Sequence, residues 1–327
     1  MRLVVVLLAL SCICVTYSVI VGAIVAPHGA VAFDPGYIPW INATHKEWAY
    51  ALNKALLDVG KLTVSLEPDI IFLSTPHGVA ASKDYTMYNN NDGYGNADQT
   101  EGKYTFKGYP NIKQPIDIEI TNKLVESMGL KNFPVSEITA FAEGESMPLR
   151  WGEVIPLSFM NTKKYNPSLD HVARTVIFSQ PRRRIKLNGL PMINELLRLG
   201  SSLAEELHAM KERVVICISG DLAHTHDKDG PFGFSDEAEP YDEAIMNWLS
   251  SLDSRHLIGT NADDKEYYDD FAVGSAASYV EKAISCGFTG FVMLQGIINQ
   301  VGREWTSHIM AGPYHPTYYG MIVASMY

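Results

Sequence analysis

Basic residues are in short supply in this chain. Twenty-six Lys and Arg against 37 Asp and Glu leave a formal net charge of -11, a balance that excludes a nucleic-acid footprint, which needs clustered positive charge. The one basic run, Arg182 to Lys186 (RRRIK), reads as a solvated loop or a helix start. Cysteine is scarce too. Of four, Cys12 and Cys14 fall in the apolar N-terminus and only Cys217 and Cys286 serve the body of the chain, so no disulfide framework can be built. Cys217 sits inside a strand pattern and reads as a small core residue. Internal repeats and low-complexity tracts are lacking, and no convincing linker divides the chain. What is present suffices for a sizeable core, since 46% of the 327 residues are hydrophobic and 19% charged, inside the globular range.

The N-terminus admits two readings. Met1 and Arg2 precede an apolar run, LVVVLLALSCICV, that has the form of a signal-peptide core and merges after Ser18 with a strand pattern. The stretch from Leu3 to Ala26 is long enough to span a bilayer, but Pro27-His28-Gly29 would then stand at the membrane exit. Residues 1–18 are therefore expected to be a cleavable leader and 19–327 one α/β domain. A cleaved leader implies a secreted or endomembrane protein, and an uncleaved one a cytoplasmic protein. Asn42-Ala43-Thr44 is a glycosylation sequon usable in a secreted chain, whereas the second candidate, at Asn166, is blocked by Pro167.

Three stretches share one grammar. Val214 to Ile218 is an apolar, β-branched run that stops at a loop holding Asp221, His224 and His226; Val19 to Ala26 ends in Pro27, His28 and Gly29; Asp69 to Ser74 ends in Thr75, Pro76, His77 and Gly78. Each reads as a buried strand followed within a few residues by a histidine on a sharp turn. Ligands of open α/β sheets gather beyond the carboxyl ends of the strands, so the three histidines can converge there. Helical spacing over Thr44–Val59, ending at Gly60, places a helix between the first two strands, the order of parallel βαβ units. Further strands are expected over Val172–Ser179 and Gly320–Ser325, and helices over Leu190–Lys211, Pro240–Ser251 and Asp269–Ser285. Ile116–Met128 reads as a strand end or a helix, Phe141–Phe159 as a loop leading into a buried run, and Thr289–Ile298 as an apolar segment. Lys83 to Lys113, rich in Asn, Asp, Gly and Tyr, reads as a long loop of lid type whose Tyr85, Tyr88, Tyr94 and Tyr104 could line a pocket for an aromatic ligand or belong to a solvated hairpin.

Neutral imidazole suits Fe, Zn, Cu and Ni, and two histidines with one anionic ligand are the set used by non-haem Fe(II) oxygenases. His28 and His77 are the imidazole pair expected on the metal. His224 is the acid or base, with Asp221 orienting its ring or capping the turn. His226 is a reserve partner or a loop residue. His171, His208, His256 and His315 read as surface or packing residues.

The order and spacing of IVAPHGA (24–30), STPHG (74–78), LRWGEVIPLSF (149–159), SGDLAH with DGPFGF (219–234), PYDEAI (240–245), SCGFTGFVMLQG (285–296) and YYGMIVAS (318–325) resemble the LigB-type family of class III extradiol ring-cleavage dioxygenases over residues 19 to 327. The resemblance implies a single three-layer αβα domain around a mostly parallel or mixed sheet, holding Fe(II) that works on a catechol-like or aminophenol-like aromatic and O2. It places His28 and His77 on the iron and His224 at the acid/base position. The third ligand departs from the pattern: many relatives have Glu-Cys-Gly where this chain has Ser285-Cys286-Gly287. Cys286 instead matches the cysteine ligand of the Memo group, and a thiolate also favours Zn or another softer ion. Glu281, one turn earlier, could serve only if its helix faced the metal. Trp151 stands where ring-cleaving relatives often have a histidine. The alternative function is thus a Memo-like metal-binding or redox-related protein without dioxygenase turnover. A homo-oligomer is compatible with either.

Overall fold

The computed structural model describes residues 19–36, 42–101, 104–141, 144–259, 273–301 and 305–327. The leader expected over 1–18 and the start of the helix expected from Asp269 lie outside these residues. Among those described, no helix is long and apolar enough to cross a membrane.

The chain opens with β1 (Ile20–Ala26), α1 (Ala30–Phe33), α2 (Ala43–Leu66), β2 (Ile70–Thr75) and β3 (Tyr85–Tyr88). Short strands follow, β4 (Asp92–Gly95), β5 (Gln99–Glu101), β6 (Tyr104–Phe106) and β7 (Ile112–Pro115), and then α3 (Ile118–Leu130), β8 (Val135–Ile138), β9 (Met147–Leu149) and α4 (Trp151–Asn161). Next come β10 (Arg174–Ser179), an irregular helical segment (Arg182–Met192), α5 (Ile193–His208) and β11 (Val214–Ser219). The chain closes with α6 (Ala238–Ser251), α7 (Ser254–Ile258), α8 (Ala276–Ala283), α9 (Phe288–Val301), β12 (Ser307–Tyr314) and β13 (Met321–Met326).

Eight strands form the central sheet in the order β12-β13-β1-β11-β2-β10-β3-β8. Its middle, β1-β11-β2-β10, is parallel, and antiparallel β13 and β3 flank it. Side chains alternate between two cores, as the period of a strand requires. Ile70, Phe72, Val214, Ile216 and Ile218 face the core made with α3, α5, α6, α8 and α9. Ile71, Leu73, Val215 and Cys217 face the core made with α1, α2 and α4. Both faces of the sheet are covered, which is why these strands read as unbroken apolar runs, and the three-layer αβα expectation holds.

Two expectations are corrected, and two segments left without an element type are resolved. The helix expected to stop at Gly60 continues to Leu66, because Gly60 is a contact point and not an end. A Cβ there would stand 2.5 Å from the Phe159 carbonyl oxygen, and Asn166 Nδ2 donates to the Gly60 carbonyl at 2.7 Å. The long loop expected over 83–113 is mostly strand: β3 joins the main sheet, and β4 to β7 build small sheets beside it. Tyr85 and Tyr88 are consequently core residues. The apolar run from Thr289 is the helix α9, and the buried run after Phe141 is α4. Both are apolar almost all round because they are buried almost all round, and periodicity is silent in that case.

Candidate metal centre

Register brings the expected ligands level with one another. β11 lies between β1 and β2, with Ala26 opposite Ser219 and Ser74 opposite Ile218. Two residues beyond the strand ends at Ala26, Ser219 and Thr75 stand His28, Asp221 and His77. Three neighbouring strands thus deliver three polar side chains at one height. Cys286 arrives from the turn before α9, and that turn is latched onto the loop that follows β11: Gly287 N–H and Ser285 Oγ–H both donate to the Asp221 carbonyl, at 3.1 and 2.9 Å. The latch needs backbone against backbone, since a Cβ on Gly220 would lie 2.6 Å from Gly287 Cα.

The protons on His28 can be placed from its partners. Ser219 Oγ–H donates to the Gly152 carbonyl at 2.6 Å, so toward His28 Nδ1, 2.9 Å away, the same oxygen can only accept. His28 Nδ1 therefore carries the proton and Nε2 keeps a lone pair. That lone pair faces Asp221 Oδ2 at 3.3 Å and Cys286 Sγ at 3.4 Å. Asp221 is held in place as well: its Oδ1 accepts the His28 backbone N–H at 3.0 Å, and its own N–H donates to Cys286 Sγ at 3.3 Å.

His77 presents its ring edge-on to His28, with centroids 4.7 Å apart. Donor atoms of His28, His77 and Cys286 lie within 4.8 Å of one another, and so do those of Asp221, His224 and Cys286. His224 Nδ1 lies 2.9 Å from the Leu222 carbonyl, which can only accept, so its Nε2 carries the lone pair. Aromatic rings surround the cluster: Trp151 at 5.5 Å from His77, and Tyr319 and Phe232 at 5.7 and 5.8 Å from His224, centroid to centroid.

The electrostatics suit metal binding. Burial, reinforced by neighbouring His77, His224 and Arg184, holds the His28 imidazole well below its usual pKa. Burial and Arg184 bring His77 down to about 3, and burial brings His224 to about 4 against the pull of the Leu222 carbonyl. All three rings are neutral at neutral pH, the form that ligates. Burial, then Asp221, pushes the Cys286 thiol up, so it alone among these groups must lose a proton to ligate.

A four-coordinate ion with bonds of about 2.1 Å to nitrogen or oxygen and about 2.3 Å to sulfur spaces its ligands roughly 3.4 to 3.6 Å apart. The His28–Asp221 and His28–Cys286 separations of 3.3 and 3.4 Å are close to that spacing. Lone pairs that would otherwise oppose one another are thus arranged around a common point, and the donor set fits a divalent cation.

Other expected residues are placed elsewhere. Glu281 is exposed on α8, its carbonyl accepts from Asn188 Nδ2 at 3.1 Å, and it belongs to neither donor group. Asp221 faces His28 more than His224. His226 Nε2 lies 2.9 Å from Asp242 Oδ2, and its ring stacks on His315 with centroids 4.2 Å apart. Three contributors escaped the sequence reading. Ser219 is an ordinary strand residue until its hydrogen bonds are seen. Arg184, in the basic run taken as solvated, is largely withdrawn from solvent and its charge acts on all three histidines. Glu153 is fully buried beneath the site, accepting Tyr88 Oη–H at 2.9 Å and the Arg150 N–H at 3.0 Å, and burial raises it to about 7. A lone acid inside the apolar run WGEVIPLSF was its available signal.

Comparison with known proteins agrees with this fold. The chain is 24% identical over 291 residues to protein CA_C1420 of Clostridium acetobutylicum, covering 85% of this chain and 52% of that one. It thus spans about half the length of the curated relative it matches. The crystal structure of the uncharacterized protein JW3007 from Escherichia coli K12 superposes with a TM-score of 0.50 at 14% identity, over 93% of this chain and 98% of the other, a likeness of fold. A family model described as the catalytic LigB subunit of aromatic ring-opening dioxygenase matches residues 24–318, and the chain belongs to that family.

Proposed function

We propose that this protein is a non-haem Fe(II)-dependent extradiol dioxygenase that opens a catechol-like or aminophenol-like aromatic ring with O2, both oxygen atoms entering the product. The observation that carries the reading is the meeting of His28, His77 and Cys286, with Asp221 and His224, at one edge of the sheet. His28, His77 and either Cys286 or Asp221 would hold the ion. When bound, it supplies a Lewis-acidic, redox-active centre that lowers the pKa of the substrate hydroxyls and brings diol and O2 together. The chain's own groups do the rest. Ser219 keeps His28 Nε2 unprotonated and aimed at the metal position. His224 Nε2 accepts a hydroxyl proton from the substrate and can return it to the opened product. Trp151, Tyr319 and Phe232 offer apolar faces to a flat ring.

The test is oxygen consumption and a yellow ring-opened product from a panel of catechols after anaerobic Fe(II) loading. The wild type is expected to turn over at least one member, and His224→Ala to lose about 10²- to 10⁴-fold in rate with iron content unchanged. Iron demonstrably bound and a silent panel would overturn the assignment.

The Cys286 thiol, 3.4 Å from His28 Nε2, favours a second reading, a Memo-like metal or redox protein without turnover. Metal analysis of wild type, His28→Ala and Cys286→Ser separates the ligand sets. Both variants are expected to lose most of the bound metal. Full metal content in Cys286→Ser would remove the thiolate and leave Asp221 as the anionic ligand.

A further inference from the structure

The first turn of α4, Trp151-Gly152-Glu153, bears on both imidazoles expected on the metal. Toward His77 it presses directly: a Cβ on Gly152 would stand 3.0 Å from His77 Cβ and 2.7 Å from Thr75 Oγ1, the atom that accepts the His77 backbone N–H at 3.2 Å. Toward His28 it acts through one side chain. The Gly152 carbonyl takes the Ser219 Oγ–H, which leaves that oxygen able only to accept from His28 Nδ1. The placement of this turn therefore governs both rings.

Glu153 fixes that placement. Its carboxylate is fully buried and has a donor on each oxygen. Oε2 accepts the Arg150 N–H at 3.0 Å and so closes the start of the helix. Oε1 accepts the Tyr88 Oη–H at 2.9 Å, and the phenol oxygen in turn accepts the Val79 N–H at 2.7 Å. Val79 lies two residues beyond His77, and its carbonyl is held from the same strand, β3, by Thr86 Oγ1 at 2.5 Å. Between His77 and Val79 stands Gly78, where a Cβ would fall 2.4 Å from Tyr88 Oη and 2.8 Å from Glu153 Oε1. The turn carrying His77 thus rests on the phenol and the carboxylate themselves. A buried carboxylate forfeits its hydration. What it supplies in return is two acceptor oxygens fixed in one plane, one for the His77 turn and one for the helix start that orients His28.

We propose that Glu153 is a positioning residue of the metal centre, tying the turn after β2 to the first turn of α4 and so holding His77 and His28 at a common spacing. This rests on the reading of the two histidines as metal ligands. It is independent of ring opening, and it assigns a function to a residue outside both donor groups.

The test reads metal binding without turnover. Co(II) is titrated into the full-length wild type, Glu153→Gln, Tyr88→Phe and the double variant, with affinity measured against a chromophoric chelator and ligand geometry read from the visible bands of the bound ion. An amide has one acceptor oxygen where the carboxylate has two, so Glu153→Gln leaves one of the two donors without its partner. Each single variant is expected to bind Co(II) about tenfold more weakly, the lower end for residues that orient ligands, and to shift the visible bands. The double variant should lose no more than the weaker of the two, because both substitutions cut the same tie. Leu124→Ala, which truncates the core on the opposite face of the sheet, is the control for lost stability and should keep the affinity and bands of the wild type. Unchanged affinity and bands in Glu153→Gln, losses that multiply to about a hundredfold in the double variant, or an equal loss in Leu124→Ala would each overturn the assignment. If the wild type takes up no Co(II), the metal-ligand reading falls and this inference falls with it. Co(II) uptake by a wild type that opens no ring, with the expected loss in Glu153→Gln, would remove turnover and leave the Glu153 assignment standing.

Discussion

Ser219 makes no contact with the cation position, yet it decides which nitrogen of His28 is available to a metal. Its single hydrogen goes to the Gly152 carbonyl, so it can only accept from His28 Nδ1, and the tautomer follows. Groups of this kind are worth about 10- to 100-fold in metal affinity. Ser219→Ala is expected to weaken metal binding by that factor, read by competition with a chromophoric chelator, while the far-UV spectrum stays the same; unchanged affinity would mean that other contacts hold the ring. Glu153 acts on stability instead. Burial raises it from 4.5 to about 7, so between those values the folded state binds the proton more tightly than the unfolded chain. Its contribution is therefore fully present below about pH 4.5 and is lost as pH rises through 7, about 3 kcal/mol in all. The buried histidines have lowered pKa values and act in the opposite sense, losing stability as pH falls below 6.5. The readout is hence the difference between wild type and Glu153→Gln in urea unfolding at several pH values. The variant is expected to gain relative to wild type from pH 5 to pH 8.

At the level of elements, the site depends on close approaches that only glycine permits. α5 and α9 cross with backbones in contact: a Cβ on Gly200 would stand 2.1 Å from the Met293 carbonyl oxygen, and one on Gly296 would stand 2.2 Å from that of Leu197. α9 carries the Cys286 turn at its start, so its depth against the sheet sets where the thiol lies. Gly200→Ala is expected to destabilise the protein by about 1–3 kcal/mol, the cost of overpacking a tight interior, measured by chemical denaturation. The obstacle is main chain, which cannot swing aside as a side chain can. If stability were unchanged, the close crossing of α5 and α9 would be refuted. The same logic explains Gly60, which read as a helix end and proved to be a helix contact: composition marks the residue as special, but not whether a turn or a neighbour requires it.

Across the whole molecule, the candidate ligands join distant parts of the chain, with His28 after β1, His77 after β2 and Cys286 ahead of α9. An ion that binds this folded arrangement and not the unfolded chain stabilises it by mass action. At a free concentration a hundred times its dissociation constant the gain is about 2.7 kcal/mol. Thermal unfolding of the loaded protein is expected to occur at a lower temperature after chelation, and the shift should largely vanish in His28→Ala. An equal shift in that variant would place the ion elsewhere.

The sequence by itself determined the strands that carry the site and the residues at their ends. A parallel strand covered on both faces must be an unbroken apolar run, and the turn that follows must hold Pro, Gly and polar groups, so His28, His77, Asp221 and His224 were legible as outliers at matching places. Cys286 stood out only by resemblance, and Glu281 could serve only if its helix faced the metal, whereas α8 turns it outward. Tertiary structure alone decided that choice, as it decided that Arg184 turns inward while Arg182 faces water and that Tyr85 and Tyr88 belong to the core. The physical reason is one of range. Burial by a sheet imprints a period of two on the local sequence, whereas the direction in which a loop side chain points depends on partners a hundred residues away, and those leave no periodic mark.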